Sequence, residues 1–286
     1  MHFHKPITEI IAQRYSCRTY KGRPIEAATR QRLDAFLASL SPGRFGAPLR
    51  LRLLAAVEGE QNALRGLGTY GIIRGATGFL VGAVGQGPKN MVEFGYALEH
   101  AVLLATDLGL GTCWLGGTFT RSSFAARLEL RAGEAMPAVA SVGYIADKRS
   151  FIDSMMRRGA RSTHRMPWEQ LFFDGRFGAP LVREQAGQYA TPLEMLRLAP
   201  SASNKQPWRV VRDGSAWHVY LQRTPGYGQI RVGALRVGDL QRVDVGIAMC
   251  DWELTAQEAG LPGDWTFEEP ALQKPDEWTE YVATWR

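Results

Sequence analysis

The feature that most constrains the fold is a similarity between two parts of the chain. Residues 93–114 align without a gap to residues 244–265, at a constant offset of 151 residues, and seven of the 22 positions are identical. Upstream, residues 37–50 align to residues 196–209 at an offset of 159, with a Leu, a Pro and an Arg shared. Internal similarity of this kind indicates duplicated supersecondary units. The alternative is that two apolar helices ending at Gly-Leu are alike by chance.

Hydrophobic periodicity predicts the elements of the first half. The predicted helices cover residues 7–14, 27–40 and 93–108, and the predicted strands cover residues 49–57, 78–84 and 138–144. The third helix has its apolar residues on one side and stops at Gly109-Leu110-Gly111, a helix-ending signal. This mixture of helices and strands predicts an α+β fold.

Composition narrows the classes of partner. The chain has 286 residues, of which 45% are hydrophobic and 22% charged, so it is typical of a globular protein with one large or two small domains. Its formal charge of +6 favours encounters with phosphates, but no long basic run appears. A phosphate-bearing small molecule is therefore a better prediction than nucleic acid.

The remaining residue types point away from metals, disulfides and membranes. The three cysteines are widely spaced without a C-x-x-C, and the five histidines show no metal spacing beyond a weak terminal pair, so no metal is expected. The first residues contain no apolar signal-peptide core, and polar residues interrupt each apolar run before it reaches a membrane-spanning length. We expect a cytoplasmic protein in a reducing compartment.

Two polar motifs suggest a ligand. Residues 14–20, R-Y-S-C-R-T-Y, gather two guanidiniums and a hydroxyl, and forked guanidiniums suit phosphate. Residues 198–209 form a small-residue and amide turn between a helix-like and a strand-like run, with hydroxyls and backbone N–H groups that can approach a polar ligand. Together they suggest a phosphorylated, polyhydroxylated cofactor. Read separately, a solvated helix end and an ordinary turn would explain them.

These motifs resemble those of the FMN-dependent nitroreductases. R-Y-S-C-R-T-Y is similar to the family's R-x-S-x-R-x-[FY] opening, and A-P-S-A-S-N-K-Q-P-W-R to its A-P-S-x-x-N-x-Q-P-W motif. G-L-G-T-C-W-L-G-G resembles the family's flavin-covering loop. The resemblance implies an α/β/α sandwich. In the usual homodimer, each FMN lies between the opening of one subunit and the turn of the other.

The motif order departs from the usual family pattern. Where the turn should follow the opening, residues 41–49 lack the Ser and Asn ligands. The second half keeps the turn, but has F-F-D-G-R-F at 172–177 in place of the opening and P-G-D-W at 262–265 in place of the Gly-Gly loop. This resembles the branch in which one chain is a fused pseudo-dimer with a single FMN. We expect a first half over residues 1–165, a degenerate second half over residues 166–286, and a monomeric pseudo-dimer or weak homodimer.

The resemblance implies a set of FMN-binding residues contributed by both halves. A basic residue two places before a Pro, after the last strand, favours Arg165 for the phosphate, with Lys148, Arg149, Arg157, Arg158 and Arg161 as alternatives. Gly116 or Gly117 would face flavin N5 or O4, and the turn would face the ribityl chain and the ring. For Tyr15, as for Tyr20, packing is the alternative to ligand contact. The complete set is Arg14, Tyr15, Ser16, Arg18, Leu115, Gly116, Gly117, Arg165, Pro200, Ser201, Ser203 and Asn204.

By resemblance, the chemistry would take place on FMN rather than on a protein nucleophile. NAD(P)H would deliver hydride to flavin N5 and leave, and an electron-poor small molecule such as a nitroaromatic or quinone would then be reduced in a ping-pong cycle. Residues 66–71 match G-x-G-x-x-G but precede their strand, so no Rossmann site is expected. The open alternatives are an FMN-binding or storage protein, a flavin-free scaffold, and a flavoenzyme acting on a specialised metabolite.

Overall fold

The computed structural model describes residues 3–57, 64–147, 164–227, 231–232, 235–236 and 238–286. In these ranges the helices are α1 (Ile7–Gln13), α2 (Ala27–Ser39), α3 (Asn90–Asp107), α4 (Arg121–Leu128), α5 (Ala190–Leu198) and α6 (Leu240–Glu258). The strands are β1 (Leu49–Ala55), β2 (Gly78–Val84), β3 (Gly111–Leu115), β4 (Val139–Gly143), β5 (Phe172–Asp174), β6 (Trp208–Asp213), β7 (Ala216–Gln222), β8 (Arg231–Val232), β9 (Leu235–Arg236), β10 (Trp265–Thr266) and β11 (Thr279–Trp285). The predicted helices and strands of the first half are confirmed, with ends that shift by at most three residues.

The two larger sheets have four strands in the same order, because β6-β7-β11-β10 of the second sheet repeats the order β1-β2-β4-β3 of the first. The first runs β1-β2-β4-β3 and is antiparallel throughout. The second runs β5-β6-β7-β11-β10, with β5 parallel to β6 and the other pairs antiparallel. The four strands of the first sheet all precede residue 165, and the five strands of the second all follow it.

The first sheet is covered by helices on both faces because its central strand alternates between two cores. On one face of β2, Phe79, Val81 and Ala83 pack with Phe124 and Leu128 of α4. On the other face, Leu80 and Val84 join the large core that contains α3. Successive side chains of a strand point to opposite faces, so a strand apolar at every position suits a sheet buried on both sides.

Helices α3 and α6 pack against each other through two glycines. A Cβ on Gly95 would lie 3.0 Å from Cα of Val243 and closer still to its carbonyl, and a Cβ on Gly246 would meet the carbonyl of Val92. The contact is reciprocal, since the offset of 151 that relates Gly95 to Gly246 also relates Val92 to Val243. Without a Cβ at either glycine, the two helix backbones approach directly.

Other expectations concern the interior and the membrane. Cys17, Cys113 and Cys250 are buried, and none of them forms a disulfide in the part of the chain that the structure describes. Tyr20 is buried, as the packing interpretation predicts, and its hydroxyl donates to the carbonyl of Cys17 at 2.7 Å. Among the described helices, none has both the length and the apolar composition needed to cross a membrane.

Candidate functional site

The Arg-rich opening lies against β3, the edge strand of the first sheet. Helix α1 ends at Gln13, and Ser16 forms a parallel bridge with Thr112 of β3. The next backbone N–H, from Cys17, donates to the carbonyl of Thr112 at 2.8 Å. The opening is therefore fixed to the strand that leads into the Gly-Gly loop.

The two guanidiniums of the opening are almost completely buried. The side chain of Arg14 is 6% exposed, and its Nε lies 3.7 Å from Oε1 of Glu99 on α3. Arg18 is also buried, and its Nη1 donates to the carbonyl of Ser16 at 3.3 Å. Buried guanidiniums require compensation by negative charge or by acceptors. A phosphate or another anion would add to this compensation.

The polar turn after α5 adopts an unusual backbone conformation. Ser203, Asn204 and Gln206 have φ values of +51°, +55° and +48°, the left-handed region that residues other than glycine rarely adopt. Each such residue costs on the order of 1 kcal/mol, and this strain is concentrated at functional sites in proteins. The turn is held by Ser201, whose Oγ accepts the N–H of Gln206 at 2.9 Å and whose carbonyl accepts the N–H of Asn204 at 2.9 Å.

A second segment, residues 164–166, fastens this turn from outside. The N–H of Met166 donates to Oε1 of Gln206 at 2.8 Å, and Nδ2 of Asn204 donates to the carbonyl of His164 at 2.9 Å. Arg165 donates from Nη1 to Oδ1 of Asn204 at 3.4 Å and from Nη2 to the carbonyl of Leu198 at 2.9 Å. The side chain predicted to reach a phosphate is thus oriented by the predicted turn.

Arg165 belongs to a positively charged environment. Burial lowers its pKa to about 10, and the nearby positive charges of Arg14 and then Arg197 act in the same direction. A bound anion would oppose this lowering of the pKa of Arg165. The electrostatics therefore favour a negatively charged ligand beside Arg14 and Arg165.

The Gly-Gly loop at the end of β3 leaves main-chain atoms accessible at one of its two glycines. A Cβ on Gly117 would meet no atom within 4 Å, whereas one on Gly116 would lie 2.7 Å from Cδ1 of Leu240. Arg121 holds the loop from behind, since its guanidinium donates to the carbonyls of Gly116, Met136 and Pro137. Gly117 leaves room for a flat group to approach the main chain.

These segments enclose one cavity of about 570 Å³. All twelve predicted residues line it: Arg14, Tyr15, Ser16, Arg18, Leu115, Gly116, Gly117, Arg165, Pro200, Ser201, Ser203 and Asn204. The volume lies within the range of about 300–1,000 Å³ that is typical of small-molecule sites. The alternative basic residues at positions 148, 149, 157, 158 and 161 lie outside the described residues.

Two buried carboxyl groups lie behind the arginines. Burial raises the pKa of Glu99 to about 7, opposed by the charge of Arg14 and by a 2.6 Å hydrogen bond from Trp114. Burial also raises the pKa of Asp251 on α6 well above its usual value, with the charge of Glu99 acting in the same direction. The described residues contain no group of three or more His, Cys, Asp or Glu that could hold a metal.

Comparison with known proteins identifies the family. The family described as "Putative TM nitroreductase" matches residues 6–256, most of the chain. The chain belongs to this nitroreductase family. A solved "putative nitroreductase" from Thermotoga maritima has 18% identity and a TM-score of 0.60, and the match covers 100% of this chain and 94% of that one. This likeness supports the same fold.

Two further solved structures match this chain over part of its length. A nitroreductase family protein from Clostridium difficile has 19% identity and a TM-score of 0.42, with 58% of this chain and 94% of that chain covered. A nitroreductase with bound FMN from Desulfitobacterium hafniense has 22% identity and a TM-score of 0.38, with 51% and 92% covered. No curated protein matches the sequence.

The sequence motifs do not predict the apolar wall of the cavity. Leu240, Val243 and Ile247 contribute one face of α6, and Ile72 contributes from the turns before β2. Tyr227 closes another side, with its hydroxyl 3.1 Å from Oγ of Ser203. The helical spacing of the α6 residues was visible in the sequence, but such a stripe is usually core. The one acidic residue within that stripe, Asp244, also lines the cavity and is not among the twelve predicted residues.

Proposed function

We propose that this chain is an FMN-dependent oxidoreductase that passes reducing equivalents from NAD(P)H to an electron-poor small molecule. The observation that carries the proposal is the convergence of three motifs from distant parts of the chain on one cavity. Residues 14–18, 115–117 and 200–204 resemble three flavin-binding segments, and chance would not be expected to bring all three to the same cavity. Membership of a nitroreductase family supports the same class of reaction.

The residues present fit FMN. Arg14 and Arg165 form the positive end of the cavity, which suits a phosphate. Ser201 and Asn204 supply polar groups for a polyhydroxylated chain, and the bare backbone at Gly117 suits a flat ring. The fit thus rests on donor chemistry and on open space, with each part of FMN matched by a different wall.

Each group has a defined task in this proposal. Bound FMN would supply the redox chemistry, since it would accept a hydride from NAD(P)H and pass the reducing equivalents to a nitroaromatic, a quinone or a similar acceptor. Arg18 would stabilise negative charge at the N1/O2 edge, and the N–H of Gly116 or Gly117 would face N5 or O4. The apolar wall of α6 would exclude water and accept flat, apolar substrates in turn, as a ping-pong cycle requires.

We further propose that the two halves are a duplicated pair with one functional site. The shared strand order of the sheets and the reciprocal glycine contact support the duplication. At the turn that corresponds to residues 200–206, Arg44 forms ion pairs with Glu253 at 2.9 Å and Asp264 at 2.7 Å. Phe45 packs edge-on against Tyr96 and Phe267. In this proposal, these side chains of the chain itself would fill the position of a second cofactor.

The experiment is to purify the protein, record its visible spectrum, and identify and quantify any released chromophore. We expect one FMN per chain and bleaching by NAD(P)H without oxygen, followed by reoxidation with a quinone. FMN without bleaching would favour a storage protein, and no FMN after reconstitution would favour a flavin-free scaffold. Two FMN per chain would refute the single-site proposal.

A further inference from the structure

One acidic residue interrupts the apolar face that α6 presents to the cavity. Asp244 lies among Leu240, Val243 and Ile247 at helical spacing, lines the cavity and is only 3% exposed. Isolated buried carboxylates are costly, and buried acids usually have paired oxygens. The position of Asp244 therefore requires an explanation.

The two oxygens of Asp244 differ in their contacts. Oδ1 accepts the N–H of Ala202 at 3.0 Å and so holds the strained turn. Oδ2 is buried and has no hydrogen-bond partner among the described residues. Burial raises the pKa of Asp244 well above its usual value; the bond from Ala202 opposes this change, and the negative charge of Asp239 adds to it.

The corresponding residue in the first half shows what a fully satisfied acid looks like. Glu93, related to Asp244 by the offset of 151, accepts the N–H of Arg44 at 2.7 Å with Oε1 and the N–H of Phe45 with Oε2. Both of its oxygens are therefore used by the turn at residues 43–47. Asp244 is one methylene shorter and uses a single oxygen for its own turn, so its second oxygen is left without a partner among the described residues.

We propose that Asp244 is a neutral carboxylic acid whose Oδ1 positions the turn and whose Oδ2–H donates a hydrogen bond to an uncharged acceptor atom of the bound cofactor. The inference rests on the proposed FMN site. A neutral acid adds no negative charge to a cavity that would receive a phosphorylated ligand. Its buried Oδ2 then gains a hydrogen-bond partner only when the ligand is bound.

The test compares two substitutions at this position. Asp244→Asn keeps an acceptor for Ala202 and places an N–H donor where Oδ2–H lies, so we expect FMN affinity within about threefold of wild type. Asp244→Leu removes both interactions, so we expect FMN to bind about 10- to 100-fold more weakly. Glu93→Gln makes a similar acid-to-amide change at the corresponding turn and should leave FMN affinity unchanged. Thermal unfolding of each variant would verify that it folds.

Infrared difference spectroscopy provides a readout independent of affinity. We expect the carbonyl stretch of a protonated carboxyl, a shift of this band when FMN binds, and its loss in Asp244→Asn but not in Glu93→Gln. An Asn variant that binds as weakly as the Leu variant, or a band that FMN does not move, would overturn the inference alone. A wild-type protein that binds no FMN would overturn the proposed function as well.

Discussion

The contact between α3 and α6 can be tested by adding a single methyl group. Gly95 and Gly246 bring the two helix backbones together, and a Cβ on Gly95 would overlap the main chain of Val243. A main-chain atom cannot rotate away as a side chain can. Gly95→Ala must therefore separate the helices or shift one along the other.

The size of the effect follows from two opposing contributions. Overpacking of a close-packed core costs about 1–3 kcal/mol, and a clash with rigid main chain belongs at the upper end, about 3 kcal/mol. Alanine is favoured over glycine within a helix by about 1 kcal/mol. The expected net loss is about 2 kcal/mol, which lowers the Tm of a chain of this size by about 5 °C.

Thermal unfolding followed by circular dichroism measures this loss directly. Gly246→Ala should behave similarly, because its Cβ would lie 2.9 Å from the backbone N of Tyr96. The double variant should lose less than the sum of the two, because the first substitution already separates the helices. A Gly95→Ala protein with the Tm of wild type or higher would refute the packing argument, because helix propensity would then outweigh any clash.

Three further predictions concern the cavity and the charges behind it. Arg18→Ala should weaken FMN binding and lower the FMN reduction potential; unchanged values in a dye-equilibrated titration would remove Arg18 from the site. Asn204→Leu should give folded but flavin-poor protein, whereas Phe45→Leu at the corresponding position should keep its flavin, as measured by the absorbance of purified samples. Glu99 binds its proton more tightly in the folded chain, with a pKa of about 7 against an ordinary value of 4.5, so its contribution to stability falls by about 3 kcal/mol as pH rises through this window. Glu99→Gln should remove that fall in urea unfolding midpoints between pH 5 and 8; an unchanged pH profile would contradict it.

Local sequence predicted the parts of the site that depend on short segments. The turn at 200–204 and the Gly-Gly loop carry their chemistry in a few adjacent residues, and the repeat located α3 and α6 relative to each other in the sequence. These features need no knowledge of tertiary packing, because glycine, serine and asparagine select their own backbone conformations.

The features that escaped prediction depend on contacts between distant residues. The ion pairs of Arg44 with Glu253 and Asp264 join positions more than 200 residues apart, and nothing local in the sequence indicates them. The aligned repeat pairs Asp244 with Glu93, but the different contacts of the two Asp244 oxygens depend on how the turn packs against α6. The sequence shows that residues 41–49 lack the Ser and Asn of the later turn, while the contacts that Arg44 and Phe45 make there required the structure.

The contact between α3 and α6 lies beside the cavity, and one residue belongs to both. Val243, whose backbone meets Gly95, is itself a cavity residue. A ligand that binds only the folded chain stabilises it by about 2.7 kcal/mol at a free concentration 100 times its Kd. This is similar to the loss of about 2 kcal/mol expected from Gly95→Ala. In the proposed FMN site, a Gly95→Ala shift of α6 that distorts the cavity would weaken FMN binding, whereas a loss of stability with unchanged FMN affinity would come from the helix contact alone.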